Sequence, residues 1–348
     1  MKGIGLVFSG GGGKGAYQIG VWKYLHQYGL DQFVRAVSGT SVGALNAALF
    51  ASGDVQRAED LWLNIEPEQI LTPRKITWNE SAAWVGGTAL LKTPIGMTGK
   101  LASTAATATA SAFASGFLAM LGRRYAFSRD GLMELIQQGV DFSIIQNSPI
   151  PCYATCLSVG PTPGVRRFDL RRYNAEDSQK LLLASSAIPI IFDAVEFEGS
   201  HYYDGGVPMV GDNIPIQPVY EAGVEYILVV HLSQDSPVDR ACYPNAKLLE
   251  VIPQRDLGGP IDGTLDFTAS GAKWRMEQGW KDMERIFGPF VEQAILWKKN
   301  ELLLQAFLRS EQKYQAQVQT LQRQKEKLQQ ERETDGLEEM AQDLGFKK

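Results

Sequence analysis

Ile4-Gly5-Leu6-Val7-Phe8-Ser9-Gly10-Gly11-Gly12-Gly13-Lys14-Gly15 reads as a short apolar strand that breaks at once into a glycine loop. A five-residue apolar run bounded by glycine fits a buried strand. Downstream, Tyr17, Val21, Tyr24, Leu25 and Tyr28 recur at helical spacing, and Gly29 supplies a stop. Phe33–Val37 is a second strand, Ser38–Ser41 a turn, and Val42–Ala51 a helix of small residues ending near Gly53. Strand, loop, helix, strand, turn, helix predicts a mostly parallel α/β sheet with crossover helices.

The pattern continues beyond a dissimilar segment. Cys152–Leu157 and Tyr226–His231 read as strands and Gln179–Ser186 as a helix. Val195–Phe197 and His201–Tyr203 flank Gly199 as a hairpin. The dissimilar segment runs from about Pro67 to Gly122. Leu101–Gly122 carries no charge for 22 residues, eight of them Ala and six Ser or Thr. Its length suits a membrane span, yet Leu, Ile, Phe and Val are sparse. A membrane-contacting cap and an ordinary packed helix stand beside that reading. After Pro289 the composition shifts to Gln, Glu, Lys and Arg, with no Gly or Pro between Phe290 and Asp335. Phe307, Tyr314, Leu321 and Leu328 repeat every seven residues. The companion row, Leu304, Glu311, Val318 and Lys325, is half polar. A long helix with an imperfect coiled-coil seam results. It either drapes on its own domain or forms a homo-oligomer or partner surface. The expected division is a catalytic domain over 1–289, with a cap-like insertion at 67–122, and a helical extension over 290–348.

The 348 residues carry 34 basic and 39 acidic side chains, a net charge of −5. That balance argues against a nucleic-acid polymer held by bulk electrostatics. Three cysteines, Cys152, Cys156 and Cys242, make neither a ligand quartet nor an even disulfide framework. Only three histidines are present, His26, His201 and His231, so no multi-histidine metal centre is expected. No secretory signal is read before Ile4, and with free cysteines the expected location is cytoplasmic.

Backbone N–H groups at a strand–glycine–helix junction face whatever sits above them, and the helix dipole favours negative charge there. A P-loop anchored on Lys14 needs Gly at position 8 and Ser or Thr at 15, where Phe8 and Gly15 stand. Gly10, Gly12 and Gly15 match a dinucleotide fingerprint, but the second strand ends in Val37-Ser38-Gly39-Thr40-Ser41 with no acidic residue for a ribose. That strand end opens Gly39-Thr40-Ser41-Val42-Gly43, a G-x-S-x-G between strand and helix. Such a nucleophile elbow lifts a serine hydroxyl clear of the backbone.

A serine needs a base to take its proton. His231 ends an apolar strand, where a packed histidine is the commoner outcome; His26 lies late in the first helix, and His201 in a hairpin. Asp204-Gly205-Gly206 follows a strand end, and two glycines leave the aspartate room to approach another loop. A simple turn aspartate is the competing reading.

Taken in order, Gly10–Gly15, Gly39–Gly43 and Asp204–Gly206 resemble the marks of the patatin-like phospholipases: G-G-G-x-[KR]-G, G-x-S-x-G and D-G-[GA]. Ala184-Ser185-Ser186-Ala187-Ile188-Pro189 and Asn213-Ile214-Pro215 extend the resemblance, which covers roughly residues 1 to 235. It implies a three-layer α/β/α fold and a lipid acyl hydrolase with a Ser–Asp dyad: Ser41 the nucleophile, Asp204 the base. An oxyanion hole would come from the glycine loop, Gly10, Gly11, Gly12 and Gly13. Lys14, Gly15, Gly39, Gly43, Gly205 and Gly206 support the motifs. No metal or cofactor is required. The implied substrate is membrane phospholipid, met by peripheral association. Some bacterial proteins resembling this one are antiphage effectors switched on by cyclic nucleotides, which adds a small-molecule activator as a second reading. A non-catalytic lipid-binding module is the third.

Overall fold

The computed structural model describes residues 3–65, 67–70, 72–75, 125–128, 130–159, 163–189 and 192–345. Strand β1 (Ile4–Phe8) leads through a 3₁₀ turn at Gly12–Gly15 into helix α1 (Ala16–Gln27). Strand β2 (Val34–Thr40) follows, then α2 (Val42–Ser52) and α3 (Val55–Leu63). β2 extends through Thr40, so the turn expected over Ser38–Ser41 contracts to Ser41 alone. Helix α4 (Pro67–Ile70) precedes an antiparallel pair, β3 (Thr72–Lys75) and β4 (Tyr125–Ser128). Helices α5 (Asp130–Gly139) and α6 (Phe142–Asn147) then lead to β5 (Cys152–Ser158) and β6 (Gly164–Asp169). Helix α7 (Ala175–Ser185) precedes β7 (Val195–Phe197) and β8 (Ser200–Asp204). The described chain closes with α8 (Gln217–Glu221), β9 (Tyr226–Val230), β10 (Lys247–Val251) and α9 (Ala269–Asp343).

An eight-stranded sheet runs β10-β9-β1-β2-β5-β8-β7, with β6 also on β5. The pairings from β10 to β5 are parallel, and those of β6, β7 and β8 antiparallel. Parallel strands covered on both faces read as unbroken apolar runs, and β1 and β9 are buried almost throughout. Val7, Ala36, Ile227, Val229 and Leu248 pack with Ile216, Val219 and Val224 in one core cluster. The architecture is the expected α/β/α sandwich. The hairpin expected around Gly199 is present, with Glu198 and Gly199 both at positive φ, 47° and 70°, as a two-residue turn matched to strand twist requires. The candidate cap or span at 101–122 lies outside the described residues. Among the described residues no helix is long and apolar enough to cross a membrane.

Asp204 meets β2 because of how β5 distributes its two edges. β6 pairs along Tyr153–Ser158 and so occupies one edge. β2 takes Cys152–Thr155 on the other, and β8 takes Cys156–Ser158. A strand has two edges only, so β2 and β8 share one, meeting end to end where Thr40↔Thr155 gives way to Asp204↔Cys156.

By contacts the chain divides into units at Ile286/Phe287. The helix expected after Pro289 begins earlier, at Ala269, and carries Pro289 in its interior. Proline removes one backbone donor and crowds the preceding turn. Within the first unit, α9 buries Arg275, Met276, Asp282 and Met283. Tyr17 Oη donates to Asp282 Oδ2 at 2.9 Å, as does the Gln254 N–H at 3.0 Å, and Gln278 Nε2 donates to Oδ1 at 3.1 Å. Burial and this carboxylate hold the Tyr17 phenol far above its ordinary pKa. In the second unit nearly every side chain is exposed, including Phe307, Tyr314, Leu321 and Leu328.

α1 and α9 touch backbone to backbone. A Cβ on Gly20 would lie 1.9 Å from the Met276 carbonyl oxygen, and one on Gly279 would lie 2.1 Å from that of Tyr17. Neither obstacle can rotate away. Gly279→Ala should therefore cost about 1–3 kcal/mol as an overpacking change, read as a lower urea midpoint. Gly336→Ala, where nothing lies within 4 Å of the new Cβ, should leave that midpoint unchanged or slightly raised.

Candidate functional site

β2 turns into α2 at Ser41, whose φ of 57° and ψ of −129° are rare for a residue with a Cβ. The turn closes because its flanks have no side chains. A Cβ on Gly39 would meet the Gly43 carbonyl at 2.0 Å, and one on Gly43 the Phe8 carbonyl at 2.3 Å. The strained backbone is held from below: Ser185 Oγ accepts from the Ser41 N–H at 2.9 Å and donates to the Thr155 carbonyl at 2.7 Å. Ser41 is 7% exposed.

Asp204, at the end of β8, is 5% exposed. Its carboxylate accepts from the Gly206 N–H at 2.7 Å. Burial pushes this carboxyl up to about 6, against the downward pull of the nearby Ser41 hydroxyl and the Gly206 N–H. Its own N–H is tied to the Ala187 carbonyl at 2.9 Å. Gly205 packs against the Thr155 carbonyl, 2.4 Å from where a Cβ would stand. β5 and α7 thus bring Ser41 and Asp204 to the same strand junction.

The glycine loop lies over Ser41, with the Ser41 Cβ 3.2 Å from a Cβ position on Gly10. One expected donor is corrected. The Gly10 N–H is already spent on the Asn213 carbonyl at 3.1 Å, and Asn213 Nδ2 donates back to the Gly10 carbonyl at 3.3 Å. That pairing welds the glycine loop to the Asn213-Ile214-Pro215 segment and removes Gly10 as a donor to a ligand. Among the described residues no internal acceptor is held by the N–H of Gly11 or Gly12. Gly12 has φ +57° and lines the pocket beside Ser41. Lys14 is half-buried, and burial pulls its ammonium below the ordinary lysine range. Gly15 packs against Val42 and Trp62.

An apolar pocket of about 660 Å³, open mouth included, reaches Ser41. Leu45, Trp62, Leu132, Ile188, Phe192 and Phe267 are among its walls. At about 0.8 kcal/mol per buried methylene, such walls suit a hydrocarbon chain.

The histidines are engaged elsewhere. His231 Nε2 sits 3.1 Å from Glu250, its N–H binds the Val251 carbonyl, and burial holds its pKa down. His26 Nδ1 pairs with Asp31 at 2.6 Å. His201 is exposed on β8 opposite Glu196. Sequence reading placed Ser185 and Asn213 in matching blocks without a task. Their roles depend on neighbours 144 and 203 residues away, which no local pattern reports.

The buried carboxylate carries a sign-definite stability effect. The fold raises the Asp204 pKa from 3.8 to about 6, so the native state holds its proton more tightly than the unfolded chain. Stability is therefore lost as pH rises between those values. At about 1.4 kcal/mol per unit, Asp204→Asn should stabilise the protein by up to about 3 kcal/mol at pH 8 and by little at pH 4, read from urea midpoints at both values.

A family profile, Patatin-like phospholipase, matches residues 6–220. Lysophospholipase nte1 of Aspergillus terreus is 44% identical over 50 residues, 14% of this chain and 3% of that protein. Among solved structures, VipD from Legionella pneumophila aligns at 14% identity with a TM-score of 0.40, covering 80% of this chain and 66% of its own. The type III effector ExoU of Pseudomonas aeruginosa aligns at 18% identity with a TM-score of 0.39, covering 83% and 52%. The chain thus spans a small fraction of the curated relative and less than two thirds of these solved chains.

Proposed function

The chain belongs to the patatin-like phospholipase family, and on that premise we propose that it is a lipid acyl hydrolase working through Ser41 and Asp204. The observation that carries this reading is the end-to-end meeting of β2 and β8 on β5, which brings Ser41 beside the buried Asp204 carboxylate, where an apolar pocket reaches the same serine. Asp204 accepts the hydroxyl proton as Ser41 Oγ attacks the ester carbonyl. Negative charge then develops on the carbonyl oxygen. The N–H groups of Gly11 and Gly12 and the N-terminus of α2 are the donors available to it. Asp204 returns the proton to the glycerol oxygen of the departing lysolipid, and water releases the acyl chain from Ser41 by the reverse sequence. A carboxylate at about 6 is a usable base near neutrality, since general-base efficiency favours a pKa near working pH. The substrate class is membrane phospholipid, met peripherally, with one acyl chain in the pocket.

Ser41→Ala and Asp204→Ala should each abolish fatty-acid release from phospholipid vesicles while the fold persists. A folded His231→Gln variant should keep its activity; an inert one would sink the dyad in favour of a triad. Because the base must be deprotonated, kcat should rise about tenfold per pH unit below about 6 and level off above it.

The row of exposed apolar side chains on α9 beyond residue 287 favours a second layer to the reading: a hydrolase restrained or activated through assembly, with a small molecule as trigger. Light scattering with and without cyclic nucleotides checks it. A change in mass that tracks activity is expected, and constant mass with constant activity would remove the idea.

A further inference from the structure

Arg275 is wholly buried, with 0% exposure, in a part of α9 outside the matched residues 6–220. A buried charge of this kind is costly unless every donor finds an acceptor. Here Nε donates to the Leu257 carbonyl at 3.1 Å, Nη2 to the Asp262 carbonyl at 2.7 Å, and Nη1 to the Asp266 carbonyl at 3.3 Å. Nη1 also pairs with Asp266 Oδ2 at 3.0 Å. One planar guanidinium therefore gathers three carbonyls and a carboxylate from a strap spanning residues 257–266. Between Pro260 and Thr264 this strap takes a π-helical turn, closed by the Thr264 N–H on the Gly259 carbonyl at 2.9 Å.

The strap rests directly on the glycine loop. The Thr264 carbonyl oxygen lies 2.1 Å from a Cβ position on Gly12, and the Asp266 carbonyl oxygen 2.1 Å from one on Gly13. The Lys14 Cε is 2.7 Å from a Cβ position on Gly263. The strap also furnishes pocket walls, Thr264 and Leu265, with Phe267 just beyond it. Gly12 thus abuts a strap whose carbonyls one buried side chain draws together.

We infer that Arg275 is a positioning residue for the oxyanion loop: by drawing in the carbonyls of Leu257, Asp262 and Asp266 it presses the strap onto Gly12 and Gly13 and fixes where their N–H groups point. The inference rests on the hydrolase reading above and adds to it a residue that touches neither substrate nor Ser41. Lysine keeps the charge but lacks the planar fork that serves several acceptors at once.

The test uses the full-length protein and a fluorophosphonate probe, which counts competent Ser41 sites at completion. In Arg275→Lys, kcat per labelled site should fall about 10- to 100-fold, the range expected for a small misplacement of catalytic donors. The labelling rate should fall in parallel, while KM for a short-chain ester moves less than threefold. A merely structural role would lower the melting temperature and the labelled fraction but leave kcat per labelled site unchanged, and that result overturns the proposal. Should Arg275→Lys fail to fold, Asp266→Asn removes the ion pair alone and should lower kcat per labelled site about 3- to 10-fold; no change there also overturns it. If the wild-type protein is not labelled at Ser41, the hydrolase reading falls and this inference with it. Labelled wild type with unaltered variants removes the inference only.

Discussion

One edge of one strand carries the site. β5 gives an entire side to β6, so β2 and β8, arriving from opposite directions, divide the remaining side between them. Each ends at the junction, and each ends in a side chain of the pair: Ser41 one residue beyond β2, Asp204 as the last residue of β8. Parallel β2 and antiparallel β8 therefore point their C-terminal ends at each other, which a uniformly parallel sheet could not arrange. The mixed sheet is a requirement of the juxtaposition rather than an ornament of the fold.

Around that junction the protein commits polar groups to geometry. Ser185 supports the strained Ser41 N–H, Asn213 clasps both polar groups of the Gly10 backbone, and Thr40 Oγ1 reaches the Asp212 carbonyl at 2.7 Å. The Gly10 clasp explains why a run of four glycines yields fewer free donors than residues. Its first member anchors the loop, and those that follow are left open. On the far side of the loop the strap supplies the opposing wall. The loop is thus fixed on one side by the core of the matched family region and on the other by residues beyond it.

Much of this was legible in the sequence because glycine marks it. Gly39 and Gly43 announce the elbow, Gly205 and Gly206 the close approach of Asp204, and Gly199 the hairpin. Close backbone approach demands glycine at Gly39, Gly43 and Gly205, and positive φ demands it at Gly199. Local reading leaves Asp204 open as a turn aspartate, and its pairing with Ser41 comes from the resemblance of the three ordered blocks to a family, while the three histidines can be set aside from their strand and helix positions. What stayed hidden was long-range. Arg275 sits in Lys273-Trp274-Arg275-Met276-Glu277, which reads as unremarkable helix, and its acceptors are backbone carbonyls that any sequence would provide. Gly10 looked identical to its neighbours because its difference lies in Asn213, two hundred residues on. Pro289 suggested a boundary because proline usually interrupts, while the helix that contains it was anchored earlier, by Asp282 and Gly279.

The seam between β8 and β5 is only three residue pairs long, against five between β1 and β9. Stability is distributed unevenly across a fold, and fewer ladder pairs hold β8 to β5 than hold β9 to β1. Fraying there would part Asp204 from Ser41 while the glycine loop, the elbow and the parallel strands stay intact. Pairing of Ser41 with Asp204 and integrity of the parallel sheet are then separable properties of the same fold.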